Sequence, residues 1–425
     1  MFNQIIFYIF VAIGAVNFLH LGLYIVGGDI YDIRKYRRTS LDGKAKKTRM
    51  RRPLVSVVVP AHNEAMAIER CMESIRKSSY RKIEVIVHND RSTDATARIL
   101  QRYKKSYPKF NLRIINRRIN VGKGSGVNFA IKRYAKGELI MTLDADCILH
   151  KDAIKNSVYY FKDKKIIGVA ANVRIMDSPT ILGLLQKFEH MIGYRSKKFY
   201  TVTNSEFIVG GVASTYRRET MDLVNLYDTD TQTEDIGLSM KIVALGNREQ
   251  RIVYGADVLA MTEGVQTFKA LLKQRYRWKL GMMQNLAKHM NLFGNLDKRY
   301  SKALTLYRMP MAILGEIILL LQPIVLSYIF YLSIHYRTTA LFIGAYVTIT
   351  LYVLMTVWPD EHSKIRRKLS LSAYAPVMYF VFYIMDLVQI IAILRVLSRP
   401  KKVMNTKNSE SQWISPERSG QAAAF

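Results

Sequence analysis

Four stretches almost free of charge interrupt a chain that is otherwise dense in Lys and Arg: residues 4–26, 309–334, 339–358 and 371–394. At a rise of about 1.5 Å per helical residue, each is long enough to cross a bilayer core roughly 30 Å thick. A chain with four such segments is expected to be a membrane protein, with a soluble domain between the first stretch and the second. In the first stretch the charge follows the apolar run, and no small-residue cleavage pattern comes after it. This reads as an uncleaved anchor with its amino terminus outside, not as a signal peptide.

The basic excess is large, 64 Lys and Arg against 33 Asp and Glu, a formal net charge of +31. It clusters where a membrane protein needs it. Arg34-Lys35-Tyr36-Arg37-Arg38 through Arg49-Met50-Arg51-Arg52 follows the first apolar stretch, and Lys364-Ile365-Arg366-Arg367-Lys368 lies between the last two. Such clusters mark the cytoplasmic flank and meet anionic lipid. No nucleic-acid motif accompanies the charge, so nucleic acid is not an expected partner. Cys71 and Cys147 show no metal-type spacing and read as reduced thiols of a cytosol-facing domain. One conflict stands. Three spans after a cytosolic domain would leave the carboxyl tail outside, whereas Arg395, Arg399, Lys401 and Lys402 favour the inside. An interfacial or re-entrant stretch would reconcile the two.

Between residues 53 and 265 the pattern is α/β. Residues 54–59, 83–87 and 139–143 are short apolar, β-branched runs of the buried-strand kind. Helical stretches at 64–76 and 93–103 alternate with them, which predicts a mostly parallel sheet covered on both faces. Ligands of such sheets bind beyond the carboxyl ends of the strands. Residues 268–290 mix apolar and basic side chains, with Phe268, Leu271, Leu272 and Arg275 at helical spacing, and predict an amphipathic helix in the membrane interface. The expected organisation is an anchor (1–30), a basic linker (31–52), the α/β domain (53–265), interface helices (266–305), a membrane region (306–398) and a polar tail (399–425).

Several polar motifs fall at element boundaries. Asp144-Ala145-Asp146 follows a strand, where two carboxylates can share a divalent cation with a diphosphate; an ordinary acidic turn is the plain alternative. Asp90 ends the second strand and can bond the edge of a nucleotide base, while Ser92 or Thr93 caps the next helix. Residues 118–128 are rich in Gly around Lys123, suited to a phosphate or simply to a loop. Thr233-Glu234-Asp235 opens a helix over 236–245; Thr233 can cap it, and a carboxylate there can act as a general base. Gln274-Arg275-Tyr276-Arg277-Trp278 offers either membrane anchors or groups for a diphosphate and a sugar ring.

Taken in order, Pro60-Ala61-His62-Asn63-Glu64, Asp90, Asp144-Ala145-Asp146, Thr233-Glu234-Asp235 and Gln274-Arg275-Tyr276-Arg277-Trp278 resemble the processive family-2 glycosyltransferases, which include cellulose, chitin, hyaluronan and poly-N-acetylglucosamine synthases. The resemblance covers nearly the whole chain. It implies a GT-A type nucleotide-sugar-binding domain flanked by transmembrane helices, in a multi-pass plasma membrane protein with its catalytic domain in the cytoplasm. The activity implied is inverting transfer from a UDP-sugar to a β-linked polysaccharide, which is then translocated.

The roles implied are these. Asp90 contacts the uracil, Asp144 lies near the nucleotide, Lys123 approaches the phosphates, and Asp146 holds Mg²⁺ or Mn²⁺ on the diphosphate. Asp235 is the general base, beside Glu234. Arg277 binds the diphosphate, and Gln274 and Trp278 frame the acceptor. Residues 262–267 resemble the family's mobile gating loop. The implied partners are the UDP-sugar, the growing polysaccharide and membrane lipid; a small accessory membrane subunit is left open. Within the family the chain most resembles bacterial poly-β-1,6-N-acetylglucosamine synthases, through Val173-Arg174-Ile175 followed by Ile181-Leu182-Gly183, the four-span layout, and the tail Trp413-Ile414-Ser415-Pro416-Glu417-Arg418. UDP-N-acetylglucosamine is therefore the expected donor. Hyaluronan- or chitin-type synthesis, single-sugar transfer to a lipid-linked acceptor, and a non-enzymatic membrane scaffold are the competing readings. Two departures from the family pattern are Arg91, where Gly is common, and Gly264 in the loop.

Overall fold

The computed structural model describes residues 2–44, 52–178, 180–337 and 339–404. The basic residues 45–51 and the tail motif at Trp413 lie outside the described residues.

One eight-stranded sheet forms the centre of the soluble part, in the order β3-β2-β1-β4-β7-β6-β8-β5. Its strands are β1 (Val55–Ala61), β2 (Ile83–Asn89), β3 (Leu112–Asn116), β4 (Leu139–Thr142), β5 (Ile148–Leu149), β6 (Ile166–Ile175), β7 (Ser214–Arg217) and β8 (Arg251–Thr262). β3, β2, β1 and β4 are mutually parallel, and β6 runs parallel to β8. β7 is antiparallel to both β4 and β6, and β5 to β8. The central strands are apolar runs because both faces are covered. Val55, Val57 and Val59 of β1 face one core with Ile68, Met72 and Leu100, while Val58 faces the other with Val127, Ile131 and Met240.

The covering helices are α2 (Ile68–Arg76), α3 (Thr96–Ser106), α4 (Lys123–Tyr134), α5 (Ala153–Tyr160), α6 (Ile181–Val202), α7 (Arg218–Leu223) and α8 (Glu234–Ala244). Two starts differ from expectation. Residues 64–67 form a turn, so α2 begins at Ile68. Neither Ser92 nor Thr93 caps α3. The N-cap position is Ala95, and Asp94 just before it joins the starts of the two helices, its carboxylate accepting from the Thr96 amide at 3.0 Å and the Ala65 amide at 3.0 Å. Ser92 instead accepts from the Asn63 amide at 2.9 Å.

Among the described residues, four helices are long and apolar enough to cross a membrane. They lie in α1 (Phe2–Lys44), α10 (Met309–His335), α11 (Ala340–Val357) and α12 (Ile365–Leu397), with α9 (Phe268–Lys288) and the short α13 (Pro400–Met404) beside them. α1 runs past the expected anchor, so Arg34 and Arg37 are exposed on its continuation and not in a linker. It is seated on α6. A Cβ on Gly27 would lie 2.5 Å from the Phe199 ring, and one on Gly28 would lie 2.5 Å from the Arg195 guanidinium. Arg195 and Lys198 of α6 also pair with Asp29 and Asp32 at 2.7 Å.

α12 is laid along the soluble domain. Leu371, Ala375, Met378 and Met385 pack with Leu182, Leu185 and Phe188 of α6 and Leu271 of α9, while Ile393 and Val396 meet Leu280 of α9. Arg174 of β6 pairs with Asp360, and Asp177 with Arg367, at its start. Beyond its end, Gln284 of α9 donates to the Lys402 carbonyl at 2.9 Å.

α9 is in turn fixed to the start of α8. A Cβ on Gly281 would come within 2.3 Å of Thr233 Oγ1 and 2.8 Å of the Thr233 nitrogen. Asn285, one turn on, donates to the Thr233 carbonyl and Oγ1, both at 3.1 Å. Thr233 thus spends its hydroxyl on α9 and makes no side-chain cap for α8, contrary to the sequence reading. Gly281→Ala is expected to cost about 1–3 kcal/mol through overpacking against backbone, read as a lowered melting temperature of the purified protein. Gly14→Ala, which meets nothing within 4 Å, should leave it unchanged.

Candidate active site

A cavity of about 570 Å³ opens beyond the carboxyl ends of β4, β6 and β8. Of the residues singled out in the sequence, it gathers Lys123, Asp144, Asp146, Glu234, Asp235, Gln274, Arg277 and Trp278. Asp90 is not among its lining residues.

Asp90 is fully buried and accepts from the Val121 amide at 3.0 Å and the Gly122 amide at 2.9 Å. It therefore pins the chain that leads into α4, whose first residue is Lys123. The Gly-rich segment is a loop over residues 118–122 that passes into a helix at Lys123. Its glycines also pack inward instead of lying open to a phosphate: a Cβ on Gly124 would meet the Asp228 carbonyl at 3.3 Å, and one on Gly126 would meet His88 at 2.5 Å. Arg91 adopts φ 58° with its side chain exposed. That left-handed backbone is what a glycine takes at lower cost, which accounts for glycine being common there.

Lys123 Nζ lies 2.8 Å from Asp144 Oδ1 and 3.2 Å from Glu234 Oε1. Burial alone would lower its pKa, but the Asp144, Glu234 and Asp235 carboxylates outweigh that and hold it well above the ordinary lysine value. Asp146 accepts from the Cys147 thiol at 3.1 Å and the Thr262 hydroxyl at 3.2 Å. Ligand atoms of Asp144, Asp146 and Cys147 all lie within 4.8 Å of one another. Two hard carboxylates in that group suit an oxygen-seeking divalent cation. Cys147, read in the sequence as a bystander, adjoins this group; burial, with Asp146 and Asp144 close by, pushes its thiol pKa well up.

Asp235 is held by two amides, Gly211 donating to Oδ2 at 2.8 Å and Ile236 to Oδ1 at 2.9 Å. Burial, and then Glu234 beside it, raise its pKa to about 6 against the opposing pull of Lys123.

The far side of the cavity was largely missed. Arg275 pairs with Glu189 of α6, and its guanidinium stacks 4.3 Å over the Trp278 ring. Lys279 pairs with Glu316 of α10 at 2.5 Å, and Gln389 of α12 lines the same wall. Glu316 had a usable signal, as an ionisable group inside an apolar stretch. Glu189 and Gln389 had none, since periodicity does not tell which polar residue of a helix faces a cavity. The segment after β8 is braced: Gln186 exchanges two 3.0 Å hydrogen bonds with the Val265 backbone, and Arg70 pairs with Glu263 at 2.6 Å. A Cβ on Gly264 would lie 3.1 Å from Gln186, so the small residue there keeps this brace close.

A raised carboxyl pKa means that protonation of Asp235 favours the fold. That contribution is complete below the ordinary aspartate range and is lost as pH rises through about 6. Asp235→Asn should therefore stabilise the protein at pH 8, on the order of 1–3 kcal/mol, with no gain near pH 4, as read from melting temperatures at the two pH values.

Residues 56–223 match the model of glycosyl transferase family 2. The chain is 27% identical over 382 residues to a poly-β-1,6-N-acetyl-D-glucosamine synthase of Staphylococcus epidermidis, covering 86% of this chain and 87% of that one. It is 29% identical over 325 residues to the synthase of Staphylococcus aureus strain COL, covering 75% and 74%. Its fold is similar to that of the mannosyltransferase PcManGT from Pyrobaculum calidifontis, solved in complex with GDP-Man and Mn²⁺, with a TM-score of 0.60 at 19% identity, over 92% of this chain and 99% of that one. The sheet, the acidic groups at its carboxyl edge and these likenesses agree: the chain is a glycosyltransferase with a GT-A type fold, similar over residues 56–223 to glycosyl transferase family 2 and joined to helices apolar enough to cross a membrane.

Proposed function

We propose that the protein is an inverting, processive UDP-sugar β-glycosyltransferase, with UDP-N-acetylglucosamine as donor, that elongates a β-linked polysaccharide and passes it across the membrane. One observation carries this reading. A single cavity runs from Asp144, Asp146 and Asp235 past Trp278 to Glu316 and Gln389 on helices apolar enough to span. Donor chemistry and an outlet toward the membrane are then continuous. The names of the staphylococcal relatives support the choice of sugar.

In this reading Asp146 and Asp144 hold Mg²⁺ or Mn²⁺, which supplies charge for the leaving diphosphate. Arg277 and Lys123 bind the same diphosphate. Asp90 serves the base end of the site, holding the segment on which Lys123 is mounted. Asp235 takes the proton of the acceptor hydroxyl as that oxygen attacks the anomeric carbon and UDP leaves, so an α-linked donor gives a β-linked product. A base with a pKa near 6 is ionised at neutral pH and still strong enough to accept the proton. Gln274 and Trp278 frame the acceptor, with Trp278 backed by Arg275.

Purified protein given UDP-N-acetylglucosamine and Mn²⁺ should release UDP and form a polymer. The initial rate should fall as pH drops through about 6, from a plateau above it. Asp235→Asn should lose at least about 10²-fold in rate while keeping UDP affinity. A product one sugar long would refute processivity, and no turnover with any UDP-sugar would refute the assignment.

For topology, we infer that α1, α10 and α11 cross the membrane and that α12 lies along its cytoplasmic face. The start of α12 is tied to the soluble side at Asp177, and α13, which follows it, is tied there at Gln284. The basic residues 364–368 and 395–402 then all lie inside, which removes the conflict seen in the sequence. A cysteine placed at Lys402 should resist a membrane-impermeant maleimide in intact cells and react after permeabilisation; labelling in intact cells would overturn this orientation.

A further inference from the structure

The acidic centre of the cavity already holds a cation belonging to the chain. Lys123 is delivered there by a fixed backbone, because Asp90 pins the two amides that precede it. Its Nζ stands 2.8 Å from Asp144 and 3.2 Å from Glu234. Gly211 marks the same point from the opposite wall. A Cβ there would lie 3.0 Å from Lys123 Nζ, 3.6 Å from Asp235 Oδ2 and 3.9 Å from Asp144 Oδ1. One ammonium thus faces carboxylates from two elements, the turn after β4 and the start of α8. Three other cations on the cavity wall are engaged elsewhere: Arg275 with Glu189, Lys279 with Glu316, and Lys197 with the Ile208 carbonyl.

We propose that Lys123 is a placeholder for the divalent cation. While no nucleoside diphosphate is bound, its ammonium occupies Asp144 and keeps a free divalent ion from settling there. When a diphosphate enters, its oxygens take the ammonium and the carboxylate is released to the metal. This rests on the donor-site reading above.

The physical reason is competition for one oxygen. A small divalent ion would bind at about 2.0–2.1 Å from the carboxylate and gives up its water reluctantly. The tethered ammonium is already at the same carboxylate, and two cations a few ångströms apart in a low-dielectric cleft repel strongly. A diphosphate changes the balance by bringing enough negative charge for both. Nucleotide and metal must then raise each other's affinity by the same factor. Lys123 thereby makes metal loading conditional on donor loading, and the acidic site is not filled by ions that cannot assist transfer.

The test uses the full-length protein in detergent micelles, with Mn²⁺ as probe and free Mn²⁺ followed by electron paramagnetic resonance, with and without UDP. The wild type should bind Mn²⁺ at least about tenfold more tightly with UDP than without it. Lys123→Met should tighten nucleotide-free Mn²⁺ binding by about tenfold or more and shrink the gain from UDP. Lys123→Arg, which keeps the charge, should retain most of the wild-type pattern. Unchanged or weaker nucleotide-free Mn²⁺ binding by Lys123→Met with a wild-type melting temperature would overturn the proposal. So would a wild type that binds Mn²⁺ equally tightly without UDP, which needs no variant. A wild type that binds neither UDP nor Mn²⁺ would instead overturn the donor-site reading, and this proposal with it.

Discussion

The contact between Gly281 and Thr233 sets the distance between the two halves of this enzyme. A helix carrying Gln274, Arg277 and Trp278 can approach the turn carrying Glu234 and Asp235 only because residue 281 has no side chain. Asn285 then closes the contact with hydrogen bonds to Thr233 and to its own helix at Gly281. Since α9 also packs along α12, the same contact relates the acidic edge of the sheet to the apolar helices. An approach of this kind relaxes little, because what faces residue 281 is the Thr233 backbone nitrogen and the short, branched Thr233 side chain, itself held by Asn285.

Electrostatics in the cavity follow from that crowding. Asp144, Glu234 and Asp235 would repel one another in this half-buried cleft, and Lys123 is the group that lets them stay together. The compensation is incomplete at Asp235, which keeps a raised pKa and so the basicity that proton removal needs. Farther along the wall the charges come as pairs, Arg275 with Glu189 and Lys279 with Glu316, which makes polar side chains tolerable beside apolar helices.

The sheet was legible because its buried strands are continuous β-branched runs, and Asp144, Asp146 and Asp235 were legible because acids at strand and helix boundaries have few structural reasons to recur. What escaped was set by partners distant in sequence. Thr233 has the residue type and position of a cap, yet its hydroxyl is used by Asn285, 52 residues on. Gly124 and Gly126 looked like a phosphate loop, yet their smallness serves Asp228 and His88. Hydropathy found all four apolar helices, but it measures how little a segment likes water and does not separate a lipid-facing helix from one laid against protein. The packing of α12 against α6 and α9 depends on contacts distant in sequence and appears only in the folded chain.

The glycine pair of α1 has a consequence for what the first helix is. Gly27 and Gly28 receive Phe199 and Arg195 of α6, and Asp29 and Asp32 complete the match. To the bilayer, any apolar helix of the same length would serve as well. To α6 it would not, because a generic membrane anchor would bring side chains into the space those two residues leave and lack the acids that answer Arg195 and Lys198. The first helix is therefore a fitted part of the catalytic body, and α6, which carries Glu189 and His190 on the cavity wall, takes its seat from it.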